Sequence, residues 1–173
     1  PLMIDALYQR IVPIYNDGRG DELVCRSPWN FMTGFSNFTL PPTDGNGEIS
    51  WAGHYIMINY ANQALENVPT IPDLDPDLLE RLMGQAIFLR AFAHFQLANQ
   101  YGVPPIITST PAAQEEFYPS NEGLTQQDVY DFVEQEIARA IPMLPQNYDA
   151  VTGPDQGETG RITSGAANAI MGR

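Results

Sequence analysis

Residues Glu80–Thr110 read ERLMGQAIFLRAFAHFQLANQYGVPPIITST, and this stretch decides the fold. Apolar and aromatic side chains crowd it from Leu82 to Leu97, with Arg90 at the centre. Tyr101-Gly102-Val103-Pro104-Pro105 stops the pattern abruptly, because glycine permits a helix to end and proline cannot continue one. Upstream, Asp75-Pro76-Asp77 supplies a capping carboxylate, a proline suited to the first turn and an acid near the positive end of the helix dipole. The segment therefore predicts a helix over about 76–101, the most buried of the chain, with Leu82, Ala86, Leu89, Phe92 and Ala93 inside. Ile106-Ile107-Thr108, just beyond it, is the one candidate strand.

Working outward, Trp51, Tyr55, Ile58, Asn62 and Leu65 recur at steps of four, three, four and three, the period of one helix face. Ser50 is the expected cap, giving a helix over 50–67. Leu2–Tyr15 repeats the pattern through Ile4, Leu7, Tyr8, Ile11 and Val12. Downstream, Thr125-Gln126-Gln127-Asp128 has the shape of a capping box. Val129, Phe132, Val133, Ile137, Ala140, Ile141 and Leu144 then form an apolar stripe over 125–144. A Gly/Pro/Asp loop from Pro145 to Glu158 leads to a last helix over 163–173. The expectation is a mostly all-α chain of tetratricopeptide-like helical hairpins with long irregular loops. Alanines at 86, 91, 93 and 98 let helix axes approach closely. Residues 19–48 stand apart as an irregular insertion without a sustained period.

The 173 residues suit a single domain with a core of its own. A formal charge of -13, with eight arginines and no lysine, excludes a phosphate-binding face, which needs clustered cations. Such a surface suits salt water, where self-repulsion is screened, and codon bias is the competing explanation. Cys25 is the single cysteine, so the chain forms no internal disulfide. The polar run Asn16–Glu22 before it is unlike the apolar run of a signal sequence, so Cys25 is expected to be a small buried side chain rather than a lipid-anchor residue. The chain opens on an apolar helical pattern and closes inside another, which reads as a fragment of a longer protein.

Four ordered features resemble the SusD/RagB family. They are Trp51-x3-Tyr55-x2-Ile58-x3-Asn62, then Phe88-Leu89-Arg90-Ala91-Phe92 followed by Tyr101-Gly102-Val103-Pro104, then Tyr130-x6-Ile137 with Leu144-Pro145, and finally Gly160-Arg161-Ile162-Thr163-x-Gly165-Ala166-Ala167. The resemblance implies a SusD-like fold of which this chain is the N-terminal helical portion. It further implies a non-catalytic glycan- or nutrient-binding lipoprotein at the outer-membrane surface, anchored through a cysteine upstream of Pro1. Its implied partner is a TonB-dependent transporter of the SusC type. Where the family commonly carries Glu, this chain has Gln85, which offers a cation only a neutral hydrogen bond. Arg90, flanked by apolar residues, reads as a structural buried arginine.

Reactive constellations are missing from the sequence. His54 and His94 fall on different predicted helices without metal-ligand spacing, so both read as ordinary helix-face histidines. Asp73-x-Asp75-x-Asp77 mimics the start of a calcium loop but lacks its glycine and its twelfth-position glutamate, and helix capping accounts for it. No catalytic residues, no metal and no cofactor are expected, and the chain is read as not an enzyme. Binding is better served by the irregular segment. There Trp29 and Phe31 offer aromatic faces for sugar C–H groups, while Asp21, Arg26 and Asn30 can hydrogen-bond hydroxyls. Phe35 and Phe38 are assigned to packing, and Trp51, with its regular helical partners, to the core. The rival reading is a tetratricopeptide-like protein-binding adaptor, which would show even repeats and need no long aromatic loop.

Overall fold

The computed structural model describes residues 45–111 and 120–172. The expected helix over 2–15 and the proposed ligand residues Asp21, Arg26, Trp29, Asn30 and Phe31 lie outside the described residues.

Four α-helices carry the fold: α1 (Gly45–Asn67), α2 (Pro76–Tyr101), α3 (Gln126–Ala140) and α4 (Ser164–Met171). Among the described residues there is no strand. The central element is α2, packed between α1 and α3, with α4 lying against α3. Its 26 residues give a rod of about 39 Å. The core runs along both of its sides, and Ala86, Ala91, Ala93 and Ala98 have no exposed surface at all, so small side chains stand where the neighbouring helices come nearest.

The start of α2 follows its sequence signals. Asp75 is the cap, its Oδ1 accepting from the Leu78 amide at 2.9 Å, with Pro76 in the first turn. Gly102 ends the helix at a φ of 86°, where a side chain would be strained, and its amide donates to the Ala98 carbonyl. Leu82, Ala86, Leu89 and Ala93 are buried as expected. Phe92 is a partial exception. It is only half-buried, stacked on the more deeply buried Phe88 with ring centroids 6.1 Å apart.

Two boundaries and one element differ from the sequence expectation. Helix α1 begins at Gly45, so residues 45–48 of the expected irregular stretch are helical and Ser50 is not a cap. Glu48 in the first turn favours the positive dipole end, while Ser50 is buried and donates from Oγ to Gln100 Oε1 across to α2. Helix α3 does not reach 144. Thr125 and Asp128 form the expected capping box, but after Ala140 the chain tightens into a 3-10 turn over Ile141–Met143, because Pro142 has no amide to continue the ladder. Finally, Ile106-Ile107-Thr108 is not a strand. Its backbone groups are bonded by side chains instead.

Candidate functional site

The connector after α2 lies in a cradle built by two helices. From α1, the Tyr55 hydroxyl donates to the Pro105 carbonyl at 2.9 Å. Asn62 Nδ2 donates to the Ser109 carbonyl at 3.0 Å and to that of Ile107 at 3.4 Å. Glu66 accepts from the Thr110 amide and hydroxyl at 2.8 and 2.9 Å. Residues 55, 62 and 66 are seven and four apart, hence on one face. From α2, Arg90 Nη1 donates to the Thr108 carbonyl at 3.1 Å, and His94 Nε2 accepts the Ile107 amide at 3.1 Å. All but one of these bonds go to the backbone, so the cradle satisfies a connector that joins no sheet among the described residues.

Arg90 is the hub of that cradle. Its Nε donates to Glu136 Oε2 of α3 at 2.9 Å, its Nη2 reaches the same oxygen, and its Nη1 also donates to Asn62 Oδ1 at 2.9 Å. Both charges are almost wholly buried, and the guanidinium ties α1, α2, α3 and the connector together. This is the structural arginine that the sequence suggests. His94 is equally committed. Because Nε2 accepts from Ile107, the proton sits on Nδ1, which donates to the Arg90 carbonyl at 2.9 Å. Burial pushes the His94 pKa down to about 4, and the neighbouring Arg90 charge acts in the same direction. His54 is likewise buried, bonded through Nδ1 to the Ser50 carbonyl, and lowered by burial. Both histidines are helix-face residues serving the fold.

A second clamp holds the loop between α3 and α4. Arg81 of α2 grips Asp155 with Nε and Nη2 at 2.9 and 2.8 Å and donates from Nη2 to the Thr152 carbonyl. The hydrogen bonds from Arg81 hold the Asp155 carboxyl below its usual range. Gln85 meets a cation. Arg161 Nη1 donates to Gln85 Oε1 at 3.1 Å, a neutral hydrogen bond, while Arg161 Nε pairs with Glu158.

Aromatic side chains gather where α1 begins and α2 ends. Trp51 neighbours Tyr55 and Tyr101, with ring centroids 5.1 and 5.0 Å away, and it packs on the core as expected. Among the described residues no group of three or more His, Cys, Asp or Glu side chains is placed to hold a metal. Asp75 of the acidic triplet is a helix cap. No helix of the described residues is long and apolar enough to cross a membrane. Sequence reasoning missed Glu66 and Glu136 as anchors. Asn62 and Tyr55 were visible as one face, but the segment that face would hold was not.

Against this geometry, the chain matches over residues 14–173 a SusD-like family described as starch-binding and associating with the outer membrane. The chain belongs to that family. A SusD-like protein of Bacteroides ovatus is 26% identical over 171 residues, covering 98% of this chain and 29% of the relative. A laminarin-binding SusD-like protein superposes with a TM-score of 0.74 at 26% identity, covering 99% of this chain and 37% of that one. The surface glycan-binding protein A of Bacteroides uniformis has the same fold, with a TM-score of 0.81 at 20% identity over 98% of this chain and 39% of its own. The chain thus spans about a third of the length of these relatives.

Proposed function

We propose that this protein binds glycans at the outer-membrane surface, held there by a lipid anchor, and delivers them to a TonB-dependent transporter of the SusC type. The observation that carries the reading is the family match over nearly the whole chain. The relative that binds laminarin, similar at 26% identity, supports an oligosaccharide as ligand. Helices α1–α4 act as scaffold. Their polar side chains are spent on holding the connector and the loop before α4, and the α1–α2 cradle that an adaptor would offer to a peptide is filled by the chain's own residues 105–110. Contact with sugar is assigned to the segment before α1, through stacking on Trp29 and Phe31 with Asp21, Arg26 and Asn30 as polar partners.

The test is calorimetry of the full-length protein against a panel of oligosaccharides that includes laminarin fragments, with Trp29→Ala beside the unsubstituted protein. Loss of one stacked aromatic is expected to cost about 1–3 kcal/mol, roughly five- to a hundredfold in affinity. Absence of binding to any glycan overturns the function. Binding that is unchanged in Trp29→Ala moves the site elsewhere in the protein. Delivery is tested separately, by co-purification with the SusC-type transporter.

A further inference from the structure

Tyr101 closes α2 and is 37% exposed. Its ring stands at right angles to that of Trp51, with centroids 5.0 Å apart. Trp51 in turn touches Tyr55 and packs on the core, so the pair has a firm base. Perpendicular rings meet edge to face, a favoured arrangement, and an aromatic side chain has little conformational freedom to lose when something binds to it.

The chain on either side of Tyr101 is fixed by side chains from elsewhere. Ser50 of α1 donates from Oγ to Gln100 Oε1 at 3.0 Å, and the Tyr55 hydroxyl donates to the Pro105 carbonyl at 2.9 Å. Asn121 Nδ2, just before α3, donates to the Val103 carbonyl at 2.7 Å. Gln126 Nε2, at the start of α3, donates to the Ala98 carbonyl at 2.9 Å. Of these acceptors only Ala98 is a carbonyl that a helix end has to satisfy. The bonds to Gln100, Val103 and Pro105 go beyond that need, and they leave a partly exposed ring in a set position.

Charge narrows what that ring receives. In a chain of net charge -13, residues 49–65 and 91–110, which carry all three rings, include no Asp, Glu, Lys or Arg. The two histidines among them, His54 and His94, are buried with lowered pKa values and stay neutral at pH 7. The negative face of an aromatic ring attracts the weakly positive C–H groups of a sugar. Uncharged elements around it offer no cation to a carboxylate or sulfate group. We propose, resting on the glycan-binding reading above, that Tyr101 is a stacking platform for an uncharged sugar ring, a second contact beside the one assigned to Trp29.

The experiment is calorimetry of the full-length protein with neutral oligosaccharides, laminarin fragments among them, and with anionic alginate fragments. Tyr101→Ala, Tyr101→Phe and Trp29→Ala are compared with the unsubstituted protein. Tyr101→Ala is expected to weaken binding of the neutral glycan roughly five- to a hundredfold, and Tyr101→Phe, which keeps the ring, by no more than about twofold. Should Tyr101→Ala fold poorly, fluorine NMR of the unsubstituted protein labelled with 3-fluorotyrosine decides. The resonance absent from Tyr101→Phe belongs to Tyr101, and it is expected to shift as the bound neutral oligosaccharide is added. Unchanged affinity in Tyr101→Ala, or a resonance that stays in place, overturns the proposal. A loss confined to Trp29→Ala does so while leaving the glycan-binding reading intact. Alginate fragments that bind as tightly as any neutral one overturn the assignment to an uncharged sugar. Absence of binding to every glycan overturns both readings. A Tyr101→Ala protein that binds glycan normally but no longer co-purifies with the transporter gives the ring to a protein partner, which overturns the proposal too.

Discussion

A buried imidazole has two nitrogens to satisfy, and His94 spends both on backbone groups. Protonating it would destroy the acceptor that holds the Ile107 amide and place a charge beside Arg90, with the Phe132 ring edge on the α3 side and the Glu136 carboxylate beyond the guanidinium. Its pKa in the folded protein is about 4, against an ordinary value of 6.5 for a solvated histidine. Between those values the unfolded chain binds more protons than the folded one, so stability falls as pH falls. The contribution is complete above pH 6.5, declines below it and is gone once pH passes through about 4. Its ceiling is on the order of 3 kcal/mol. Chemical denaturation between pH 7 and 4 is expected to show this loss in the unsubstituted protein and a shallower one in His94→Gln. Parallel curves would mean that the carboxylates alone carry the acid sensitivity. Asp155, held low by Arg81, adds to the loss in the same direction but at lower pH.

Elements pack closely where the turn after α3 meets α2. A Cβ built on Gly84 would come within 2.8 Å of Met143 Cβ and 3.3 Å of the Leu144 side chain. Gly84 thus serves close approach, not backbone freedom, since it lies inside α2. Alanine there would gain about 1 kcal/mol in helix propensity. Against that stands overpacking, which costs about 1–3 kcal/mol, and the backbone-proximal Met143 Cβ cannot swing aside. Gly84→Ala is therefore expected to be destabilising, by up to about 2 kcal/mol on thermal or urea unfolding. A rise in stability would show that the 141–143 turn yields easily. The same contact explains why the helix expected to 144 is two pieces. Pro142 breaks the ladder, and the turn it creates drops onto a glycine.

For the molecule as a whole, charge works against the fold. A net charge of -13 and no lysine leave the surface carboxylates with few partners, while two of the arginines are consumed inside, by Asp155 and Glu136. Repulsion among exposed acids is screened within about 10 Å at 0.1 M salt and about 3 Å at 1 M. Raising sodium chloride from about 10 mM to about 500 mM should raise the melting temperature of this protein. The buried pairs will contribute little to that change, because solvent ions do not reach them. A melting temperature that stays level or falls with salt would mean that surface ion pairs matter more than net repulsion.

How much of this was legible in the chain differs with the range of the interactions involved. The period of Trp51–Leu65, the capping residues Asp75 and Thr125, and the stop at Gly102-Val103-Pro104 are local. They depend on neighbours within a turn or two, so a sequence displays them directly, and α1, α2 and α3 follow. Family membership was legible for a similar reason: each motif lies along one helix and the residues next to its end. The connector was not. Ile106-Ile107-Thr108 has the side chains of a strand, yet its bonding partners Asn62, Arg90 and His94 lie 13 to 45 residues away, on two helices whose mutual rotation no local rule sets. The pairing of Arg90 with Glu136 and of Arg81 with Asp155 was hidden for the same reason, since a chain with twenty-one acids offers each arginine many candidates. Burial chose among them. Only where α3 and the loop before α4 close over α2 does removing a charge from water leave one partner that satisfies it.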